Sequence, residues 1–210
     1  MEIVAVNIGK PTTIVWNGKE QQTGIFKYPI TGPVVLQKES VAGDTISNRK
    51  VHGGIHKACY LYSSDQYPYW KALYPHLSWD WGMLGENLTI SGLDESQICI
   101  GDIYRVGTAL VQVSQPREPC FKLGLRFGDQ GILRQFIDHG ASGTYIRILE
   151  EGQVKAGDSL QLHEASTNPL TVKQFFDLLY SRKKNADILQ LALSNNALPQ
   201  RKREQLKRYL

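Results

Sequence analysis

The chain has 210 residues, of which 41% are hydrophobic and 21% charged, the ordinary balance of one soluble globular domain or of one domain with a small appendage. No apolar run is long enough to cross a bilayer, and three cysteines make an odd, sparse set that excludes a disulfide-built fold and suits a reducing cytoplasm. The net charge of +4 is unevenly placed: residues 171–210 carry nine Lys/Arg against three Asp/Glu, whereas the first 170 residues hold 15 basic and 17 acidic side chains. Basicity therefore belongs to the tail and says nothing of what the main body binds.

Met1–Asn7 lacks the basic start and cleavage site of a secretory signal and reads as a first strand, Ile3–Asn7. Further short strands are predicted at Val34–Gln37, Ala58–Tyr62, Asn87–Ile90, Tyr104–Val106, Leu110–Ser114, Thr144–Leu149 and Leu160–His163, separated by Gly, Pro, Asn and Asp turns. One helix is predicted from Ser64 or Asp65 through Trp70 to Leu73. Another is predicted from about Asp129, as N-cap, to His139, with Gly140 as the stop. Many short strands with spaced turns predict a mainly β fold, a closed or nearly closed barrel, rather than a parallel α/β sheet.

The pattern changes at Ser166-Thr167-Asn168-Pro169. Apolar residues then recur at spacings of three and four, from Val172 to Leu179, from Ile188 to Ala192 and from Leu198 to Leu210. Thr171, Asn185 and Pro199 are placed to start three helices. The expected division is a β-barrel body over residues 1–165 and a small helical unit over 166–210. That unit is short for independent stability, so it should pack on the barrel or on a second subunit, as in a homodimer. No internal repeat or low-complexity tract is present.

The most informative segment is Ser114-Gln115-Pro116-Arg117-Glu118-Pro119-Cys120-Phe121-Lys122-Leu123. It follows an alternating apolar stretch, and its two prolines restrict the backbone on either side of Arg117 and Glu118. Such a segment can hold a thiol in one place at a strand end. Nearby cations such as Arg117 and Lys122 favour the thiolate form of a cysteine, which binds metals and attacks electrophiles. The plain alternative is a small buried hydrophobe. Cys59 and Cys99 sit in apolar surroundings and read as packing residues.

Three other stretches could line a ligand site. His52-Gly53-Gly54-Ile55-His56-Lys57-Ala58-Cys59 reads as a loop entering a strand, its glycines allowing close backbone approach and His52 and Lys57 facing an anion. A zinc site would need a second pair of ligands, which is not evident, and a solvated tight turn is the plain alternative. Gly85-Glu86-Asn87-Leu88 could offer Asn87 to a ligand or simply cap the loop. Thr23-Gly24-Ile25-Phe26-Lys27 could place Lys27 at a cavity mouth or in solvent. Tyr145 and Arg147 share one face of their strand. No Walker-type loop, dinucleotide fingerprint or Ser-His-Asp order is present.

The Thr23–Lys27 segment, His52-Gly53-Gly54 with Lys57-Ala58, Gly85–Leu88 and Gln115–Cys120 occur together in an order that resembles a MOSC domain, specifically of the YiiM-like branch. The likeness covers about residues 1 to 165, and the tail resembles the three-helix unit that often follows in this branch. The resemblance implies a MOSC-type β-barrel similar to that of pyruvate kinase, with a few helices and a small C-terminal three-helix domain. It implies molybdenum cofactor, a pterin dithiolene (molybdopterin) with a terminal phosphate, as the group bound. It makes Cys120 the catalytic residue and the protein's ligand to molybdenum, with His52, Lys57, Asn87, Arg117 and Lys27 holding the cofactor. A soft thiolate suits a sulfur-bound metal, and basic side chains suit a phosphate.

By the same resemblance, the expected activity is detoxifying reduction of N-hydroxylated compounds, such as hydroxylaminopurine-type bases and amidoximes, to amines. A separate electron-donor protein, flavoprotein or iron–sulfur, must supply the electrons, because neither motif is visible here. The alternative is a sulfur or cofactor carrier using the same cysteine, which the absence of a fused pyridoxal-phosphate domain weakens. A nucleic-acid role would rest on Arg182-Lys183-Lys184 and Arg201-Lys202-Arg203 alone, and such runs are usually solvated helix ends.

Overall fold

The computed structural model describes residues 1–47 and 53–210. In chain order the strands are β1 (Glu2–Gly9), β2 (Thr12–Trp16), β3 (Lys19–Thr23), β4 (Lys27–Pro29), β5 (Val34–Gln37), β6 (Ser40–Val41), β7 (Cys59–Ser63) and β8 (Leu88–Ser91). They continue with β9 (Ile103–Val106), β10 (Ala109–Pro116), β11 (Thr144–Glu150), β12 (Gly152–Val154) and β13 (Leu160–Glu164). Eight of them form one sheet in the order β13-β9-β10-β11-β7-β8-β1-β4. β7 and β8 run parallel while the other pairs are antiparallel, so the sheet is mixed.

This sheet curls into a half-barrel that brings the approach to its edge strand β13 against β1. Ile3 donates its N–H to the Asp158 carbonyl (2.9 Å), Gly157 donates to Ile3 (2.8 Å) and Leu160 donates to Met1 (2.9 Å). The approach to β13 is thus bonded to the start of β1. The β10–β11 ladder slips register twice, at Leu110/Val111 and at Val113/Gln115, and bulges of this kind bend a strand and re-aim its end. The bent end is the one that leads to Cys120.

Six α-helices lie among the described residues: α1 (Tyr67–Leu73), α2 (Phe121–Phe127), α3 (Ile132–His139), α4 (Val172–Tyr180), α5 (Ala186–Ser194) and α6 (Gln200–Leu206). None is long and apolar enough to cross a membrane. The inner face of the sheet packs a core of Ile3, Val6, Leu61, Leu88, Ile90, Val111 and their neighbours. Val172, Phe175, Leu178, Leu189 and Leu206 of the tail join the same core. A second, aromatic cluster joins Tyr62, Tyr67, Trp70, Phe127, Phe136 and Phe176, and there the buried Trp70 indole donates to the Tyr62 hydroxyl (2.6 Å).

The tail helices start where their caps predict. Thr171 and Gln174 form a reciprocal capping box, and Asn185 accepts from the Ile188 N–H (3.0 Å). Ile100 N–H donates to the Leu170 carbonyl, and Lys173 N–H to that of Glu95, each at 2.9 Å, which fixes the entry to α4 against the body. Of the two surfaces open to the tail, it is the body of the same chain that receives its apolar stripe.

One expectation needs correction. The helix read from Asp129 begins at Ile132, because the Asp129 carboxylate accepts from Gly131 N–H (2.7 Å) and holds a turn there instead. α2, directly after Cys120, is an addition to the predicted elements. The pair β2–β3 is a further addition, a hairpin turning at Asn17 (φ 50°) and Gly18 (φ 72°). Both central residues lie at positive φ, the requirement of a tight hairpin turn.

Candidate functional site

β10 ends at Pro116 and α2 begins at Phe121. Cys120 stands between them in extended conformation (φ −133°, ψ 166°), and its carbonyl accepts from Leu123 N–H (2.8 Å) in the first turn of the helix. The thiol is half-buried and lines a cleft. Lys57, Arg117, Lys122 and Tyr145 share that cleft with it, and Lys27, Asp44 and Asn87 form another part of the wall.

Arg117 is only 4% exposed. Its guanidinium donates to the Leu84 carbonyl and lies over the rings of Tyr60 (5.0 Å) and Phe136 (5.7 Å). Among the described residues no carboxylate lies within 4 Å of it. Burial opposes its charge, but the Tyr60 and Tyr145 hydroxyls and the Cys120 thiol outweigh burial and hold its pKa above the ordinary value. Lys122 donates to the Ser47 hydroxyl (2.7 Å), and burial lowers its pKa against the opposing pull of Cys120. Lys57 lies over the Tyr145 ring at 5.7 Å, its pKa likewise lowered by burial and raised by Glu118 and Cys120. Three cations thus surround one thiol, and a metal-bound, negatively charged group would be stabilised here.

The opposite wall is neutralised from within. Lys27 and Asp44 form a buried ion pair with side-chain exposures of 8% and 4%. Asp44 also accepts from Asn87 Nδ2 and from the Gly9 N–H, both at 2.8 Å. Asn87 Oδ1 in turn accepts from Tyr60 N–H (3.2 Å). Burial pulls the Lys27 pKa down more than Asp44 raises it. Lys27 is thus held in the cleft wall by Asp44, and Asn87 is a bracket between Asp44, Asn7 and Tyr60. Two glycines admit this packing: a Cβ on Gly24 would meet the Thr45 carbonyl oxygen at 2.0 Å, and Gly85, at φ 83°, would press one on Ile25 Cδ1 at 2.5 Å.

Of the residues singled out from sequence, Cys120, Lys57, Arg117, Lys27 and Asn87 meet in one cleft. His52 lies outside the described residues. Asp44, Lys122 and Tyr145 complete the wall, and Asp44 had no signal in sequence, since Ala42-Gly43-Asp44 reads as an ordinary turn. Of the residues in the zinc alternative, His52 lies outside the described residues and Cys59 is buried in β7.

A curled mixed sheet carrying a thiol between strand end and helix, walled by cations, is matched by the MOSC domain pattern over residues 48–161. That is more than half the chain, and the protein belongs to the MOSC domain family. Within the family it falls in the YiiM-like branch. YflK of Bacillus subtilis is 37% identical over 196 residues, 93% of this chain and 88% of that protein. Protein YiiM of Escherichia coli is 35% identical over 156 residues, 70% of each. A Gibberella moniliformis protein named reductase is 38% identical over 150 residues, 70% of this chain but 27% of that longer protein. The crystal structure of YiiM from Geobacillus stearothermophilus superposes with a TM-score of 0.83 at 35% identity, covering 100% of this chain and 98% of the other.

Proposed function

We propose that this protein binds molybdenum cofactor in the Cys120 cleft and reduces N-hydroxylated compounds, hydroxylaminopurine-type bases and amidoximes among them, to the corresponding amines. The observation that carries the reading is the convergence of a half-buried thiol with Arg117, Lys57 and Lys122 while the nearby Asp44 carboxylate is consumed by Lys27. The donor set fits the group: a soft sulfur for a soft-ligated metal, and a cationic wall for a phosphate-bearing pterin.

When bound, the cofactor supplies two-electron redox chemistry at molybdenum. In that reading, Cys120 Sγ anchors the metal and Arg117 and Lys122 offset negative charge beside it. Tyr145, part-exposed in the cleft, would offer aromatic surface to a planar substrate. The overall step is R–NHOH plus two electrons and two protons giving R–NH2 and water; the N–O bond breaks and its oxygen leaves as water. The electrons come from a separate flavoprotein or iron–sulfur protein, in a reducing compartment such as the cytoplasm.

Elemental and pterin analysis of freshly purified protein, paired with reduction of a hydroxylaminopurine by a chemical reductant, tests the proposal. Stoichiometric molybdenum with amine formation supports it. A persulfide on Cys120 without molybdenum or reduction assigns the carrier role instead.

A further inference from the structure

α6 and the turn that follows it form a dense run of basic charge: residues 200–208 hold five Lys/Arg against one acidic residue, Glu204. Two of these cations are tied down within the fold. Lys202 is ion-paired with Glu118, and Arg203 donates to the Asn196 side chain (3.0 Å). Arg201, Lys207 and Arg208 are exposed, and among the described residues none of the three has a carboxylate within 4 Å. Arg208 is held by Tyr209: its guanidinium lies over that ring (4.8 Å) and donates to the hydroxyl (2.8 Å).

A shallow concavity of about 160 Å3 lies among these residues, with Glu118, Leu179, Lys184, Arg208 and Tyr209 in its wall. It is smaller than the roughly 300–1,000 Å3 of small-molecule sites. Its makeup, a leucine and an exposed tyrosine rimmed by arginine and lysine, is that of a protein–protein contact. The surface is braced from below, because Lys184 Nζ donates to the Leu178 and Ser181 carbonyls (2.7 and 2.8 Å) while lying 4.9 Å from the Tyr209 ring centre. Glu118 lines this concavity and the Cys120 cleft alike. A protein seated on the concavity therefore meets the wall of the site at Glu118, two residues from Cys120 in the chain.

We propose that this basic face docks the protein that supplies electrons, and that the donor is an acidic electron carrier meeting the site across Glu118. The proposal rests on the reductase reading above. Each reduced donor gives up one electron, and two such encounters supply the pair that is consumed, with two protons, per N–O bond broken. A basic patch without internal counter-charges steers an acidic protein and raises the encounter rate about 10- to 1,000-fold, an effect that salt removes. Nucleic acid is the rival for the same charges. A donor, unlike a nucleic acid, has to sit beside Cys120, and that is where the patch lies.

Reduction of a hydroxylaminopurine by the full chain, driven by dithionite or by reduced flavodoxin or plant-type ferredoxin, tests the face. Both donor proteins are acidic, and dithionite needs no docking. With the donor proteins, kcat/KM should fall steeply as salt is raised. The triple variant Arg201→Glu, Lys207→Glu, Arg208→Glu should lose at least about tenfold in that kcat/KM at low salt, with unchanged Tm and dithionite-driven rate. The same three positions changed to Gln should give an intermediate loss. Equal donor-driven rates in wild type and the Glu variant would overturn the proposal, as would failure of both donor proteins where dithionite works. So would duplex DNA or RNA binding that the Glu variant loses while its donor-driven rate stands. Calorimetric titration with the oxidised donor proteins separates the face from the reading it rests on. Binding that the Glu variant loses, in a protein that reduces no N-hydroxylated compound even with dithionite, would support the docking face and refute the reductase reading. Dithionite-driven reduction without binding of either donor protein would do the reverse.

Discussion

Lys202 in the last helix is ion-paired with Glu118, two residues before Cys120 in the chain. The side chains are 20% and 42% exposed, so this tie between tail and site contributes little to stability. Apolar contact holds the tail: Val172, Phe175, Leu178, Leu189 and Leu206 are all buried in the core of the body, each worth about 1.5–3 kcal/mol of burial. Lys202→Ala should therefore lower Tm by no more than about 4 °C, whereas removal of residues 171–210 should give a protein that binds hydrophobic dye and unfolds without cooperativity. A cooperatively folding truncated body would show that the tail is an independent appendage.

Asn87 makes hydrogen bonds on both its oxygen and its nitrogen in a buried setting. Asn87→Ala leaves Asp44 Oδ2 and Tyr60 N–H short of a partner, and stability measured by urea unfolding should drop by about 2–3 kcal/mol. If Asn87 instead met ligand directly, the variant would keep its stability and lose only affinity.

Glu86 is wholly buried, with Oε1 accepting from the Tyr67 hydroxyl, Gly82 N–H and Thr89 hydroxyl. Oε2 has no hydrogen-bond partner among the described residues. Desolvation raises its pKa above the usual carboxylate value. A raised folded-state pKa gives stability that is complete below the unfolded value and lost as pH rises toward the folded one. Glu86→Gln removes that loss, so the variant should match wild type near pH 4.5 and gain on it by up to about 1.4 kcal/mol per pH unit above. Parallel urea titrations at pH 5 and pH 8 read the difference; an unchanged gap would mean that Glu86 ionises normally in the fold.

The parts of this architecture visible in sequence were those with local causes. Alternation in Leu110–Ser114 and Thr144–Leu149 marks strands that the structure extends by one or two residues at an end. Thr171 and Asn185 cap their helices through their own side chains. α2 was hidden because Gly124 interrupts its pattern and Cys120 is a poor cap; Gly128 in left-handed conformation (φ 68°) ends it. The β2–β3 hairpin carried a readable signal in Asn17-Gly18, which was overlooked. Within the cleft, the proline-flanked thiol was legible, but the pairing of Lys27 was not. Its partner Asp44 lies 17 residues away in sequence, and only the fold brings the two together.

The central claim is that Cys120 carries the chemistry, and reductase activity of Cys120→Ser measures it most directly. The wild-type protein and the variant, each with its Tm and molybdenum content determined, would be assayed on one hydroxylamino substrate with a chemical reductant. A serine that folds with unchanged Tm but shows only background amine formation is the expected result. Full activity in that variant would contradict the assignment of Cys120 as the metal ligand.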